Sequence, residues 1–478
     1  MENTKLAGTV LTWEHDPGFD NNFDGGRLIE VPVPPGFPVT LSNRIQGETP
    51  APSKYETGSP EFRYWVAAEA LQRGASFWVN FLKNITWVTG NELPVVLDGG
   101  EALNAYYDRQ ALRFYHGSAG NRIIYSGESP DILCHEQGHA VLDAIKPELW
   151  DVAGIEADSF HEAFGDMSAI LCALQLQSLR TGLLEETNGS LYTSSRLSKL
   201  AEQLACAIRY HSAAAVDPDC LRNAVNSFYY QDPYLLPAIG PASSLSSEPH
   251  SFSRVFTSAF FEGLGKMFSL QNNQDESSLL LLSRQMGQIL VNAVRSADIV
   301  PRFYRELAIK MMIEARIIDP AYPEALRLAF QKHGLLEPAD TLSIKTLLSN
   351  NLAFSSLVNP DPAAPMPLTL SVEEYNLGVN KIIVMAPNPE SRLITPWSDL
   401  KFASVTNGPV QSNDLSSESA ARIFLENLLR RGRLRMVSTP DSNQELKQIT
   451  EESVTIDKHT HELRLEDGKR VLRRIKID

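Results

Sequence analysis

Cysteine is scarce: the 478 residues hold four, Cys134, Cys172, Cys206 and Cys220, and no two form a C-x-x-C pair. So few in so long a chain exclude a disulfide framework, and their spacing excludes a paired-cysteine zinc or redox motif. Each reads as a small buried hydrophobe. Apolar runs long enough to span a bilayer are also missing. The N-terminal stretch "MENTKLAGTVLTWEHDPGFD" lacks the basic and long apolar regions of a secretory signal. The expectation is a soluble chain with no membrane partner. It is cytoplasmic, leaves the cell by a route that needs no such signal, or has a leader outside this sequence. Positive charge is short too. Forty-three basic against 58 acidic residues give a net charge of −15, which argues against a general nucleic-acid binder.

What is present is an ordinary globular composition, 43% hydrophobic and 21% charged, on a length that suits two or three domains. Residues 1–55 are rich in Pro, Gly, Asn and Asp, with short β-like runs "GTVLTW" and "RLIEVPVP". Residues 56–150 begin with a helical pattern at "PEFRYWVAAEALQRGASFWVNFLKNI". Short strands follow at "LPVVLD", "NAYYD", "ALRFYHG" and "RIIYSG". From Ile132 to about Leu336 the chain reads as almost all helix, most of it in a helical lobe over 151–340. Residues 341–367, with "NPDPAAPMPLT", read as a linker. Residues 368–478 read as a small α/β domain: strand "KIIVMAP", capped helix "SESAARIFLENLLRRGR", and a hairpin turning at Asp467-Gly468. The segment "DNNFDGGRLIE" partly fits a calcium loop, but Val31 stands where the closing glutamate belongs, so it reads as a hairpin turn.

The chemistry concentrates in "DILCHEQGHAVLDAI". His135 and His139 stand at i and i+4, on one helix face, so two imidazoles can converge on one ion. Glu136 lies one step round, within reach of a water on that ion. A catalytic zinc wants three protein ligands and an open position. The next helical pattern, "DSFHEAFGDMSAILCAL", offers Asp158, His161, Glu162 and Asp166. Glu162 and Asp166 share a face. One of them can bind the metal while the other hydrogen-bonds a ligand histidine. His161 points away from that face.

Together, "HEQGHAVLDA" and "HEAFGDMSAI" resemble the gluzincin metallopeptidases, specifically the thermolysin-like family. The resemblance covers roughly residues 60–336. It implies an α+β fold of two lobes, β-rich and helical, with a zinc cleft between them, followed here by an extra C-terminal domain. It implies zinc on His135, His139 and Glu162, with Asp166 orienting a ligand histidine and Glu136 as general base. "NAYYD" resembles the family's substrate-binding edge strand, which makes Asn104 and Ala105 contacts to a peptide backbone. In "DCLRNAV", Arg222 resembles the arginine that holds a substrate carbonyl. In "SEPHSFSRVFTSAFF", His250 resembles the histidine that donates to the oxyanion. The implied activity is zinc-dependent hydrolysis of internal peptide bonds in a peptide or protein substrate.

The chain departs from the family at several points. Leu245 stands where an aspartate often orients the oxyanion histidine, and Glu248 is the nearest substitute. The count to the second oxyanion donor lands on Trp150 rather than a tyrosine, which leaves Tyr106, Tyr107, Tyr229 and Tyr230 as other candidates. Of the calcium ligands, Asp131 is present, but Ala173 replaces a glutamate, so the double calcium site is incomplete. Two other readings follow. One is a gluzincin fold that binds zinc or peptide with weak or lost proteolysis. The other is an aminopeptidase of the same clan, although no G-x-M-E-N-like strand is present.

Overall fold

Serine and proline start the two helices that frame the centre of the molecule. The computed structural model describes residues 8–18, 26–337, 362–389, 415–436 and 458–477. In helix α1 (Pro60–Trp78), Ser59 accepts from the Phe62 N–H and Pro60 takes the first position. In α2 (Pro130–Ile145), Ser129 caps in the same way, accepting from Ile132. Helix α3 (Ile155–Ala173) has every residue buried. Helix α1 stops earlier than its apolar pattern suggests. The Asn80 amide donates to the carbonyls of Ser76 and Phe77 at 2.7 and 3.2 Å, and Asn84 turns left-handed at φ 62°.

Strands β1 (Thr9–Trp13) and β2 (Leu28–Pro32) form an antiparallel pair. Strands β3 (Ser42–Ile45), β4 (Glu92–Val96), β5 (Ala105–Tyr107) and β6 (Leu112–Phe114) form a mixed sheet in the order β3-β4-β6-β5, with β5 on the edge. A hairpin, β7 (His116–Ala119) and β8 (Arg122–Tyr125), leads into α2. After α3 come α4 (Gln177–Thr187), β9 (Lys199–Leu200), α5 (Glu202–His211) and β10 (Arg222–Asn223), with β10 paired to β9. Four further helices complete this part: α6 (Pro249–Ser269), α7 (Glu276–Ser296), α8 (Phe303–Ile318) and α9 (Tyr322–Lys332). The stretch 212–248 is not helical, contrary to the sequence pattern; its only regular element is β10. Pro218, Pro233, Pro237 and Pro241 break it repeatedly.

The C-terminal part is a second layer with its own core. It comprises β11 (Met366–Ser371), β12 (Lys381–Ala386), α10 (Ser417–Arg431), β13 (Leu434–Met436), β14 (His461–Glu466) and β15 (Lys469–Arg474). The strands order as β11-β12-β15-β14-β13. The turn between β14 and β15 has positive φ at Asp467 (48°) and Gly468 (76°), which suits a right-twisted hairpin. Leu370, Val384, Phe424, Leu463 and Leu472 fill this core, and Ala153 and Ile155, around the start of α3, join it. The molecule is therefore a mixed α+β structure. Among the described residues, no helix is long and apolar enough to cross a membrane. Most of the linker 341–367 and of the calcium-loop stretch 20–30 lies outside the described residues.

Candidate metal and peptide-binding site

Two glycines let α2 and α3 cross closely enough to bring their polar residues together. A Cβ on Gly138 would sit 2.7 Å from Ser168 Cβ and 3.1 Å from Gly165 Cα. A Cβ on Gly165 would sit 2.6 Å from the His135 ring. Ser168 ties the crossing by donating to the Cys134 carbonyl at 3.0 Å, and the Trp78 indole donates to Ser168 at 3.1 Å. Cys134 and Cys172 are buried in this layer, Cys220 is buried elsewhere, and Cys206 is half-buried.

At the crossing, His135, Glu136 and His139 offer ligand atoms that lie within 4.8 Å of one another. The two imidazoles stand perpendicular, 4.6 Å apart. From α3, Glu162 places Oε2 3.4 Å from His135 Nε2 and Oε1 3.9 Å from His139 Nε2. Asp166 lies behind, 3.0 Å from His135 Nδ1. Arg222, on β10, donates to both Asp166 oxygens at 3.1 and 2.7 Å. Its guanidinium thus supports the carboxylate behind His135, while the side chain also lines the cavity in front. His250, the second residue of α6, places Nε2 3.1 Å from Glu162 Oε2.

Glu248 does three jobs. It caps α6 by accepting from Ser251 N–H at 2.9 Å, stands 2.9 Å from His250 Nδ1, and accepts from Arg431 of α10 at 3.1 Å. Glu248 thus gives His250 the carboxylate contact that Leu245, which is buried and apolar, cannot give. Asn104 and Ala105, at the head of β5, line the same cavity as His135, Glu136, Arg222 and His250. The nine residues to which the resemblance gives a role thus lie around one centre. The cavity, of about 60 Å³, is walled on its other side by Leu200, Leu204 and Leu221.

Burial opposes charge throughout this centre, and the partners decide which groups keep it. Against that burial, Asp166 and Glu162 lift His135 to about 9. His139, pressed by burial and then by His135, His161 and His250, lies well below its ordinary value. Arg222 and His135 hold Asp166 well below the usual carboxylate range, although burial pulls the other way. Glu162 is lowered against burial by His250 and His135. His250 is raised against burial by Glu162 and Glu248.

The other candidates face elsewhere. Asp158 takes the Arg474 guanidinium, and His161 is a buried ring between His139 and Trp150. Trp150 donates its indole N–H to the Arg474 carbonyl at 3.2 Å, and no tyrosine lines the cavity. The hydroxyl of Tyr106 meets that of Tyr115, Tyr107 donates to Asp143, and Tyr230 donates to Glu156. Tyr229 is exposed. Sequence reasoning missed Arg431, which carries no local signal. It also missed the role of Gly138 and Gly165, whose signal was small residues inside both polar motifs.

Neither the models of known protein families nor the curated proteins give a match to this chain.

Proposed function

We propose that the chain is a zinc-dependent metallopeptidase of thermolysin-like, two-lobed architecture, with His135, His139 and Glu162 as the metal ligands. The observation that carries this reading is His139. It is fully buried, and neither ring nitrogen has a hydrogen-bond partner among the described residues. A buried imidazole without partners is costly unless something else satisfies it. The atoms facing it are a second imidazole and a carboxylate, a donor set that suits zinc. Calcium, which prefers oxygen ligands only, does not fit it.

Zinc bound there would supply Lewis acidity toward a carbonyl oxygen and make a water acidic. The chain's own residues would do the rest. Asp166, braced by Arg222, fixes a proton on His135 Nδ1 and so turns the Nε2 lone pair inward. Glu136 faces the cavity, takes a proton from the attacking water onto its carboxylate, and delivers it to the leaving amine nitrogen. His250, held through Nδ1 by Glu248, would turn its Nε2–H from Glu162, 3.1 Å away, to the developing oxyanion. Asn104 and Ala105 align an extended peptide by strand addition. The apolar wall of Leu200, Leu204 and Leu221 favours an apolar side chain beside the scissile bond.

A second reading, a zinc- and peptide-binding protein with weak turnover, draws on one observation. The Trp150 N–H is engaged by the Arg474 carbonyl, and no tyrosine hydroxyl lines the cavity. One comparison separates the two: zinc content and cleavage of a mixed peptide library, for wild type and Glu136→Gln. The peptidase reading expects one zinc per chain in both and cleavage by wild type alone. Full zinc with no cleavage by wild type leaves the second reading; failure to take up zinc sinks both.

A further inference from the structure

The edge strand of the cleft is already paired at one end. Tyr107 donates to the Ile477 carbonyl at 3.1 Å and accepts from the Ile477 N–H at 2.9 Å, an antiparallel bridge. The Ile477 side chain is buried in the main core, and the Lys476 ammonium sits 4.5 Å over the Tyr106 ring. This segment is anchored. Next to it, Arg473 pairs with Asp151 at 3.0 Å and Arg474 with Asp158. The same C-terminal layer also reaches the opposite bank. Arg431 meets Glu248 at 3.1 Å, and Ser247 Oγ donates to Asn427 Oδ1 at 3.0 Å. The layer therefore touches both banks: residues 476–477 close on β5 at Tyr107, while Arg431 meets Glu248 and Arg433 joins Glu248 in lining the cavity beyond Asn104.

Alternation in an antiparallel ladder turns every second residue's N–H and C=O to the same side. Because Tyr107 faces outward to Ile477, Ala105 faces outward too, and a peptide can pair there. Beyond Asn104 the cleft continues past Leu103 into a cavity of about 310 Å³ bounded by Ile239 and Ala242. A peptide lying antiparallel to β5, as residues 476–477 do, runs its amino-terminal side toward Tyr107 and its carboxyl side toward that cavity. Its residue two before the one opposite Ala105 would need the place that Ile477 holds.

We infer that the Lys476–Ile477 segment is an end wall that sets substrate length, so that the site takes peptides with a short amino-terminal arm and an unrestricted carboxyl side. This rests on the metallopeptidase reading and narrows it. A wall of this kind converts an expected endopeptidase into an enzyme that trims short pieces from peptide amino ends. By that register only the residue opposite Ala105 and the one before it can pair with β5 ahead of Ile477.

The test uses two series of fluorescent peptides on one apolar core, one lengthened at the amino end and one at the carboxyl end. Binding is measured by anisotropy on zinc-loaded Glu136→Gln chain, alone and combined with Ile477→Pro, which removes the N–H donated to Tyr107. A variant lacking residues 475–478 is measured in parallel, in case the proline variant folds poorly. Hydrogen exchange at the Tyr107 amide is followed in all of them. The wall expects affinity to fall at least tenfold once the amino arm is long enough to reach the place of Ile477 opposite Tyr107, with no fall in the carboxyl series. It expects both variants to recover the loss and to expose the Tyr107 amide. Equal binding of long amino arms by wild type and variants would overturn it. So would a Tyr107 amide that exchanges as fast in wild type as in the deletion variant, or peptides that bind to none of the proteins. Cleavage by the Glu136 chain is scored separately. Arm-length dependence of binding without cleavage leaves the wall and removes the peptidase; cleavage indifferent to arm length does the reverse.

Discussion

Replacing Asp166 by Asn should unsettle the molecule twice. Asp166 is 1% exposed and Arg222 is 8% exposed, and the guanidinium makes both of its charged hydrogen bonds to that one carboxylate. Removing one partner of a buried ion pair leaves the other charged and uncompensated, which costs about 3–5 kcal/mol. The amide can still accept from one donor, so about 3 kcal/mol is the expected loss of unfolding free energy in metal-free protein. The same change withdraws the acceptor that fixes the proton on His135 Nδ1. Loss of such a support lowers metal affinity by roughly 10–100-fold. Urea unfolding gives the first quantity, and chelator competition gives the second. Arg222→Met alone should also destabilise, because it strips the cation from a carboxylate buried beside Glu162. The double variant carries neither charge, so its loss should be smaller than the sum of the single losses. Strict additivity, or an Asp166→Asn chain with wild-type stability and unchanged zinc affinity, would refute the chain of support from Arg222 to His135.

Three other expectations follow from particular contacts. Gly165→Ala drives a methyl to 2.6 Å from the His135 ring, so it should cost about 1–3 kcal/mol by overpacking and weaken zinc binding, both measurable on the same samples. Asp131 is raised to about 8, by burial first and by Asp16 second. The folded chain therefore holds a proton that the unfolded chain releases above about pH 4. That stability is full below pH 4 and is lost as pH rises through the folded value. Asp131→Asn should raise the melting temperature at pH 8–9 with chelator present and leave it unchanged at pH 4; a gain confined to low pH would contradict this. Arg431→Met frees Glu248 from its cross-domain partner and loosens His250, so kcat should fall about tenfold with little change in KM, and Arg431→Lys should recover part of it.

The candidate metal site was legible because its signals are local. The i, i+4 histidines, the i, i+4 carboxylates and the apolar faces of α2 and α3 are written within short windows. Glu248 was legible as the nearest acidic substitute for an aspartate at Leu245, but not as the cap of α6. What was not legible depends on distance along the chain. The Asp158–Arg474 pair and the Trp150–Arg474 bond join residues more than 300 positions apart, and nothing local in either partner announces the other. The same is true of Ile477 on β5: an edge strand advertises that it can be paired, not by what. The helical pattern over 212–248 misled because apolar spacing survives there while prolines forbid the helix.

The complete burial of α3 has a thermodynamic consequence. Glu162 and Asp166 sit on a helix with no solvent-facing residue, so this helix has no route to open by itself. Its amides should exchange with solvent only when the whole core around it unfolds. Any ion held there then stabilises the entire fold by mass action, by about 2.7 kcal/mol at a hundred times its dissociation constant. A chelator titration followed by heat would report global unfolding rather than local fraying, and the site would be lost all at once.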